Sequence, residues 1–318
     1  MPLAAETNYL DAVSQRFFAR NGEVVDQYFR ATPLLEYLYR RAKTVDSVGR
    51  GVEIAINVSD PTNPQWIRGY EAFTYNPFDS QISGYIQTAR VVVPLAVSDS
   101  ELVATREPKA LINKIDDVIK LGYQGLQAEL ERELHAGSGT NRLVGLRFAV
   151  DDGTAAATYA GISRTTYPSW RAVVDSTTTT LSYSAFTNAQ TQAVVGAGAE
   201  PEIGLTTRAL FVSFVNNLRP QERVIIQGQA PQDTGTGMRE VFSINQIPIF
   251  HAPNTPANHL FLLDPNSFEL YQIQGRDGTF GTWQLAQNQE VWLNRIVWEG
   301  ALVCVHPRSN VKFTALTG

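Results

Sequence analysis

Apolar residues recur with a helical period between Pro108 and Gly137, where Leu111, Ile115, Ile119, Leu126, Leu130 and Leu134 share one face and Gly122 keeps the register between them. That spacing predicts one long amphipathic helix over 108–136. Pro108 suits its first turn and Gly137 its end. At the usual rise such a helix is roughly 40 Å long, more than packing a compact domain requires, and it reads as a spine for the rest of the chain. Gly122 and Gly125 lower helix propensity at its middle and predict a bend or a close backbone approach there.

A period of two replaces the helical one in residues 51–58, GVEIAINV, and again in 85–93, YIQTARVVV. Each predicts a strand, and together they predict a hairpin. Between them Trp66, Tyr70, Phe73, Tyr75 and Phe78 are set among turn residues such as Asp60-Pro61 and Asn76-Pro77. A two-stranded ribbon has no opposing layer in which to bury so many rings. Either the hairpin folds back on its own domain, or, in the sharper reading, it reaches over a neighbouring subunit. Ahead of it, residues 6–43 read as short helices with Thr32-Pro33 as cap and first turn before LLEYLYRRAK. They form either an arm lying on something else or a small helical subdomain.

Beyond the spine the periods alternate. LVGLRFAV predicts a strand, Asp152-Gly153 a turn, TYAGISRTTYPSW a second strand running into a loop, and Thr177–Ala193 a Thr-rich lead into a helix. GAGAEPE is a linker, LTT a short strand and Arg208–Leu218 a helix. RVIIQG, VFSI, IPIF, HLFLLD and FELYQI predict strands in quick succession, the first two joined by a Gly/Thr-rich loop. The last segment, from Glu290 onward, predicts two or three strands with a turn at Glu299-Gly300. Helices and strands mix without regular βαβ alternation, so the expected class is α+β.

Composition narrows the functions. At 318 residues, 43% hydrophobic and 18% charged, the chain can bury a core, and its net charge of -5 provides no overall basic footprint for wrapping nucleic acid. The opening residues lack a secretory signal pattern and no apolar run reaches membrane-spanning length, so cytosolic production without a membrane partner is expected. Cys304 is the one cysteine and lies in an apolar run, which favours core over nucleophile. His135, His251, His259 and His306 have no metal-ligand spacing. No G-x-S-x-G nucleophile motif is present, and TGTGM at 234–238 lacks the Lys-Ser/Thr of a phosphate-binding loop. Asp116-Asp117 and Asp151-Asp152 read as solvated carboxylates, and neither cofactor nor metal is expected. A monomeric hydrolase using Asp151 or Asp152 with His135 is the enzymatic alternative. Lysine occurs only at Lys43, Lys109, Lys114, Lys120 and Lys312, the other cations being arginine. Genome composition and arginine-rich subunit contacts explain that bias equally well.

The order of these parts resembles the major capsid proteins of tailed bacteriophages, the Hong Kong 97-type fold that encapsulins share. PLLEYLYRR followed by GRGVEIAINV is similar to that family's arm-to-hairpin passage, and TARVVVPLAVSDSELV to its strand returning into the spine. LVGLRFAVDD with YAGISRTTYPSWRA resembles the entry to its central domain, and PEIGLTTRALFVSFV, NQIPIFHAPNTPANHLFLLD and IVWEGALVCVHPRS its later blocks. The resemblance implies an N-terminal arm over 1–47, an extended hairpin over 48–95, a peripheral domain from 96–145 and 286–318 containing the spine, and an axial domain over 146–285. It implies a non-enzymatic shell protein forming hexamers and pentamers, assembled in the bacterial cytoplasm and resident in the virion capsid. Portal, scaffold or decoration proteins and weakly contacted double-stranded DNA are its implied partners, with encapsulin-like enclosure of protein cargo as the alternative. The hairpin aromatics would contact a neighbour. The loop Gln232, Asp233, Thr234, Gly235, Thr236, Gly237 and Met238 would meet its symmetry mates at the capsomer axis. Two departures stand out. Gln246 replaces the glycine that many relatives place before Ile-Pro, so a different turn is expected there. No lysine lies between Gly49 and Leu95, so the covalent hairpin cross-link of some relatives is not carried over. Nor is room expected before the arm for the cleaved scaffold segment of some relatives.

Overall fold

A computed structural model describes residues 33–45, 51–57, 66–72, 81–100, 108–218 and 242–317. In chain order its elements begin with helix α1 (Pro33–Arg40) and strands β1 (Lys43–Val45), β2 (Gly51–Asn57), β3 (Gln81–Gln87) and β4 (Ala89–Ser98). Helix α2 (Pro108–Ala136) follows, then the single-turn α3 (Leu146–Ala149) and strands β5 (Thr158–Tyr159), β6 (Ile162–Ser163) and β7 (Val173–Asp175). Next come α4 (Tyr183–Ala197), β8 (Ile203–Thr206) and α5 (Arg208–Leu218). The remainder is β9 (Phe242–Ile244), β10 (Ile247–His251), β11 (Leu260–Leu263), β12 (Phe268–Ile273), β13 (Thr279–Phe280), β14 (Gln284–Leu285), β15 (Val291–Cys304) and β16 (Val311–Phe313). The class is α+β, as the mixed periods predict.

Helix α2 begins and ends where Pro108 and Gly137 place it. Ile115, Ile119, Leu126, Leu130 and Leu134 are all buried on one face, while the side chain of Leu111 lies outside the described residues. The two glycines differ. A Cβ on Gly122 would stand 2.6 Å from Leu95 and 3.0 Å from Ile296, so this is the close approach that seats the helix on β4 and β15. A Cβ on Gly125 would meet nothing within 4 Å outside its own helix, and this glycine faces solvent. At the helix end Gly137 N–H donates to the Glu133 carbonyl, and a Cβ there would collide with the Leu143 carbonyl at 2.3 Å, which enforces glycine.

Two six-stranded sheets carry the fold. In the first, β15 is the central strand, bonded to β12, β13, β14 and β4, with β1 outside β12. In the second the order is β7-β16-β11-β8-β10-β9. One face of this second sheet, through Leu260, Leu262, Ile249 and Phe313, packs on α4 and α5, using Phe186 and Phe214. Its other face, through Leu205, Phe261 and Leu263, joins the larger core that includes α1, α2 and the first sheet. With both faces covered, the strands at its centre, Leu260–Leu263 and Val311–Phe313, are buried at every position.

Three sequence expectations are corrected. Residues 85–93 are not one strand: the chain breaks at Thr88, with β3 pairing β2 and β4 crossing into the first sheet beside β15. LVGLRFAV is not a strand, because its LRFA portion coils into α3 with Phe148 and Ala149 N–H both donating to the Gly145 carbonyl. No turn occurs at Glu299-Gly300, where β15 runs straight through. Gly300 is needed for proximity instead, since a Cβ would lie 2.4 Å from the Tyr271 carbonyl across the ladder. At the turn between β9 and β10, Asn245 and Gln246 take φ of 49° and 68°, the left-handed pair that suits a two-residue hairpin.

Candidate functional site

The ribbon β2–β3 has one clothed face and one bare face. Ile54, Ile56 and Ile86 point inward and are buried, while Glu53, Ala55, Ser83 and Tyr85 alternate outward. Its seat is the small hairpin β5–β6: Tyr85 N–H donates to the Ala160 carbonyl at 2.9 Å, and Gly84 lies where a Cβ would be 3.1 Å from Ala160. The segment joining the two strands carries the aromatic residues. Within it Gly69, at φ 71°, makes a turn that the Arg68 N–H closes onto the Glu71 carboxylate at 3.2 Å. That turn presents Trp66 and Tyr70 with no cover from the described residues of their own subunit, at 100% and 108% exposure, and Ile67 at 46%. The other four tryptophans, Trp170, Trp283, Trp292 and Trp298, are 3% exposed or less. Of the sequence candidates, Phe73, Tyr75 and Phe78 lie outside the described residues, as does the whole loop Gln232–Met238.

The charged cluster that chemistry would select lies in the interior. Asp151, expected in solvent, is 1% exposed: this is a correction, and its cause is a set of donors that replaces water. Lys312 Nζ donates to Asp151 Oδ1 at 2.6 Å and to the Arg147 carbonyl at 3.0 Å. Oδ2 accepts from the N–H groups of Gly153, Ala155 and Ala156 at 3.0, 2.9 and 2.9 Å, and Arg164 stands 3.7 Å away. Burial pushes the Asp151 carboxyl up, but the Lys312 bond and the backbone N–H groups outweigh it and hold the group below the usual carboxylate range. Burial lowers the Lys312 amine, with Asp151 opposing. Arg164 is likewise enclosed, its guanidinium donating to the Ala156 and Ala149 carbonyls. The arrangement ties β16 to the segments on either side of β5. With both charged partners enclosed, it presents no face to a substrate. The sequence signal for it was a lysine inside the apolar run NVKF, far from the other four.

His135 is spent elsewhere. Its Nε2 lies 3.2 Å from Glu131 Oε1 within α2, both side chains wholly buried, so the structure does not join it to Asp151 as the hydrolase reading required. Asp152 accepts from the Thr154 N–H in a local turn. Cys304 is buried, and desolvation pushes its thiol up to about 12, which leaves no thiolate at neutral pH. Among the described residues no group of three or more His, Cys, Asp or Glu side chains is arranged to hold a metal ion, and no helix is long and apolar enough to cross a membrane.

No protein-family model and no curated protein matches the chain. Solved structures do. The capsid asymmetric unit of cyanophage A-1(L) superposes with a TM-score of 0.70 at 18% identity, covering 90% of this chain and 93% of that one. The capsid of a native GTA particle matches with a TM-score of 0.57 at 11% identity, over 88% of this chain and 90% of that one. The holo-SrpI encapsulin complex from Synechococcus elongatus matches with a TM-score of 0.56 at 11% identity, over 90% and 88%. The fold is therefore that of a shell subunit. It is the fold of phage capsid proteins, the family that the sequence resembles, and an encapsulin has it as well.

Proposed function

We propose that this chain is the major capsid protein of a tailed bacteriophage, self-assembling as hexamers and pentamers into an icosahedral shell around double-stranded DNA. The observation that supports the reading is a capsid fold over nine-tenths of the chain, in which Trp66 and Tyr70 have no cover from the described residues of their own subunit. In such a shell residues 1–47 are the arm, 48–95 the extended hairpin, 96–145 with 286–318 the peripheral domain and 146–285 the axial domain. Trp66, Tyr70, Phe73, Tyr75 and Phe78 bury against an adjacent subunit, since rings of this size anchor interfaces. The loop Gln232–Met238 meets its mates at the capsomer axis, where glycine and threonine let one sequence close rings of two sizes. The protein acts by assembly rather than catalysis, resides in the virion after assembly in the host cytoplasm, and works with a portal and separate scaffold or decoration proteins. DNA contact is weak and non-specific, in keeping with the net charge of -5.

The likeness to an encapsulin favours a second reading, a nanocompartment enclosing protein cargo. Negative-stain electron microscopy of the expressed protein tests the shell, and nuclease treatment of purified phage-derived particles separates the contents. Closed particles with nuclease-protected DNA are expected. Protected protein without DNA selects the compartment, and a protein that stays monomeric under assembly conditions overturns both.

A further inference from the structure

Helix α4 is an exposed helix without a charge. From Ser176 to Ala199 there is no Asp, Glu, Lys, Arg or His. The helix itself is well specified: Ser182 caps its first turn by accepting from the Ala185 N–H at 3.2 Å, and Gly198, at φ 69°, closes its end. Phe186, Ala189 and Ala193 anchor one face in the core. The opposite face presents Ser184, Asn188, Thr191, Gln192 and Val195, the last 80% exposed. Solvent-facing helix surfaces ordinarily carry charge, and charge depletion with a polar, partly apolar surface is the mark of the centre of a protein contact.

We infer that this face of α4 is a seam against a second copy of the chain, an inference that rests on the shell reading above. Nucleic acid would require cations that the face lacks, and an anionic lipid surface would require them too. Two copies that each carry a net charge of -5 repel, and they meet at least cost where neither presents a carboxylate. The rim carries one charge of each sign at the helix end: Arg308 lies against Gly196, and Glu200 accepts from Gln190 at 2.5 Å. A rim of mixed sign can meet its copy without opposing like charges. The face is about 22 Å long, so it forms one part of a larger contact.

The test uses an Asn188→Cys variant labelled with a maleimide. Cys304 is buried, so the new thiol is the reactive one. Fast labelling of free subunits and labelling slower by about tenfold or more in particles is expected, as for a residue withdrawn into an interface. A second variant, Asn188→Glu with Gln192→Glu, is expected to keep the subunit's helical circular dichroism and thermal midpoint while particle yield falls by about tenfold or more, because a carboxylate buried at a contact loses its water. Equal labelling rates in both states overturn the seam. So does slow labelling combined with an unchanged yield for the glutamate variant, which means that the shell wall and not a neighbour shields the helix. If the unmodified protein forms no particles by electron microscopy, the shell reading fails first and takes the seam with it.

Discussion

The ammonium of Lys312 is enclosed between a carboxylate and a backbone carbonyl, so its removal exposes nothing to water and leaves Asp151 without its nearest counter-charge. Loss of one partner from a buried ion pair costs about 3–5 kcal/mol. A Lys312→Met variant is expected toward the lower end of that range, because the three N–H donors and Arg164 still hold the carboxylate; urea unfolding of unassembled subunits measures it. A cost near zero would mean that the pair contributes nothing to the fold. The pH dependence has a definite sign. A carboxyl held below its unfolded value stabilises the fold above that value, and the contribution disappears as pH falls through the folded one, here below about pH 4. The stability difference between the parent and the Lys312→Met subunit is therefore expected to be full near neutral pH and to shrink as pH falls below about 4.

Among elements, α2 offers an internal comparison, because its two central glycines have the same chemistry and opposite surroundings. Gly122→Val drives methyl groups into Leu95 and Ile296, and overpacking of this kind costs about 1–3 kcal/mol. Gly125→Ala meets open space and removes a poor helix former, a gain of about 0.8–1 kcal/mol. Thermal unfolding of the two variants is expected to shift in opposite directions, and a shared direction would unseat α2 from β4 and β15. The same comparison explains what was legible in the sequence. The 3.6-residue period located α2 because Pro108 and Gly137 punctuate it, and it located α5 over Arg208–Leu218. It missed α3, since one turn of LRFA is too short to display a period. Gly300 misled because a glycine required by a facing carbonyl and a glycine required by a turn are identical in sequence. Asp151 misled for the converse reason: its partner Lys312 is distant along the chain and adjacent only after both sheets have formed. The aromatic segment was read from ring count against available cover; Trp66 and Tyr70 are exposed among the described residues, and Phe73, Tyr75 and Phe78 lie outside them.

For the whole molecule, assembly is where the uncovered rings count. Trp66, Tyr70 and Phe73 replaced together by alanine are expected to leave the subunit folded, since Trp66 and Tyr70 are fully exposed among its described residues, and to weaken assembly, with about 2 kcal/mol or more lost at the best anchors. Particles as stable as the parent's would mean that the hairpin is no clamp. Cohesion between subunits is expected to be non-covalent, given a buried Cys304 and a hairpin without lysine. Boiling particles in detergent without reductant should release monomer alone, and a ladder of multiples on the gel would contradict this.

Strand β15 has a mechanical consequence. It runs for 14 residues, about 46 Å, and its first ten pair residue by residue with β4 from Val291↔Ser98 to Gly300↔Ala89, while its last five pair with β12 on the other side. A pull along this strand loads those rungs together in shear rather than peeling them one after another. The first sheet thus has a tie-rod through its centre, and stretching a single subunit along that axis is expected to yield in one abrupt rupture at high force.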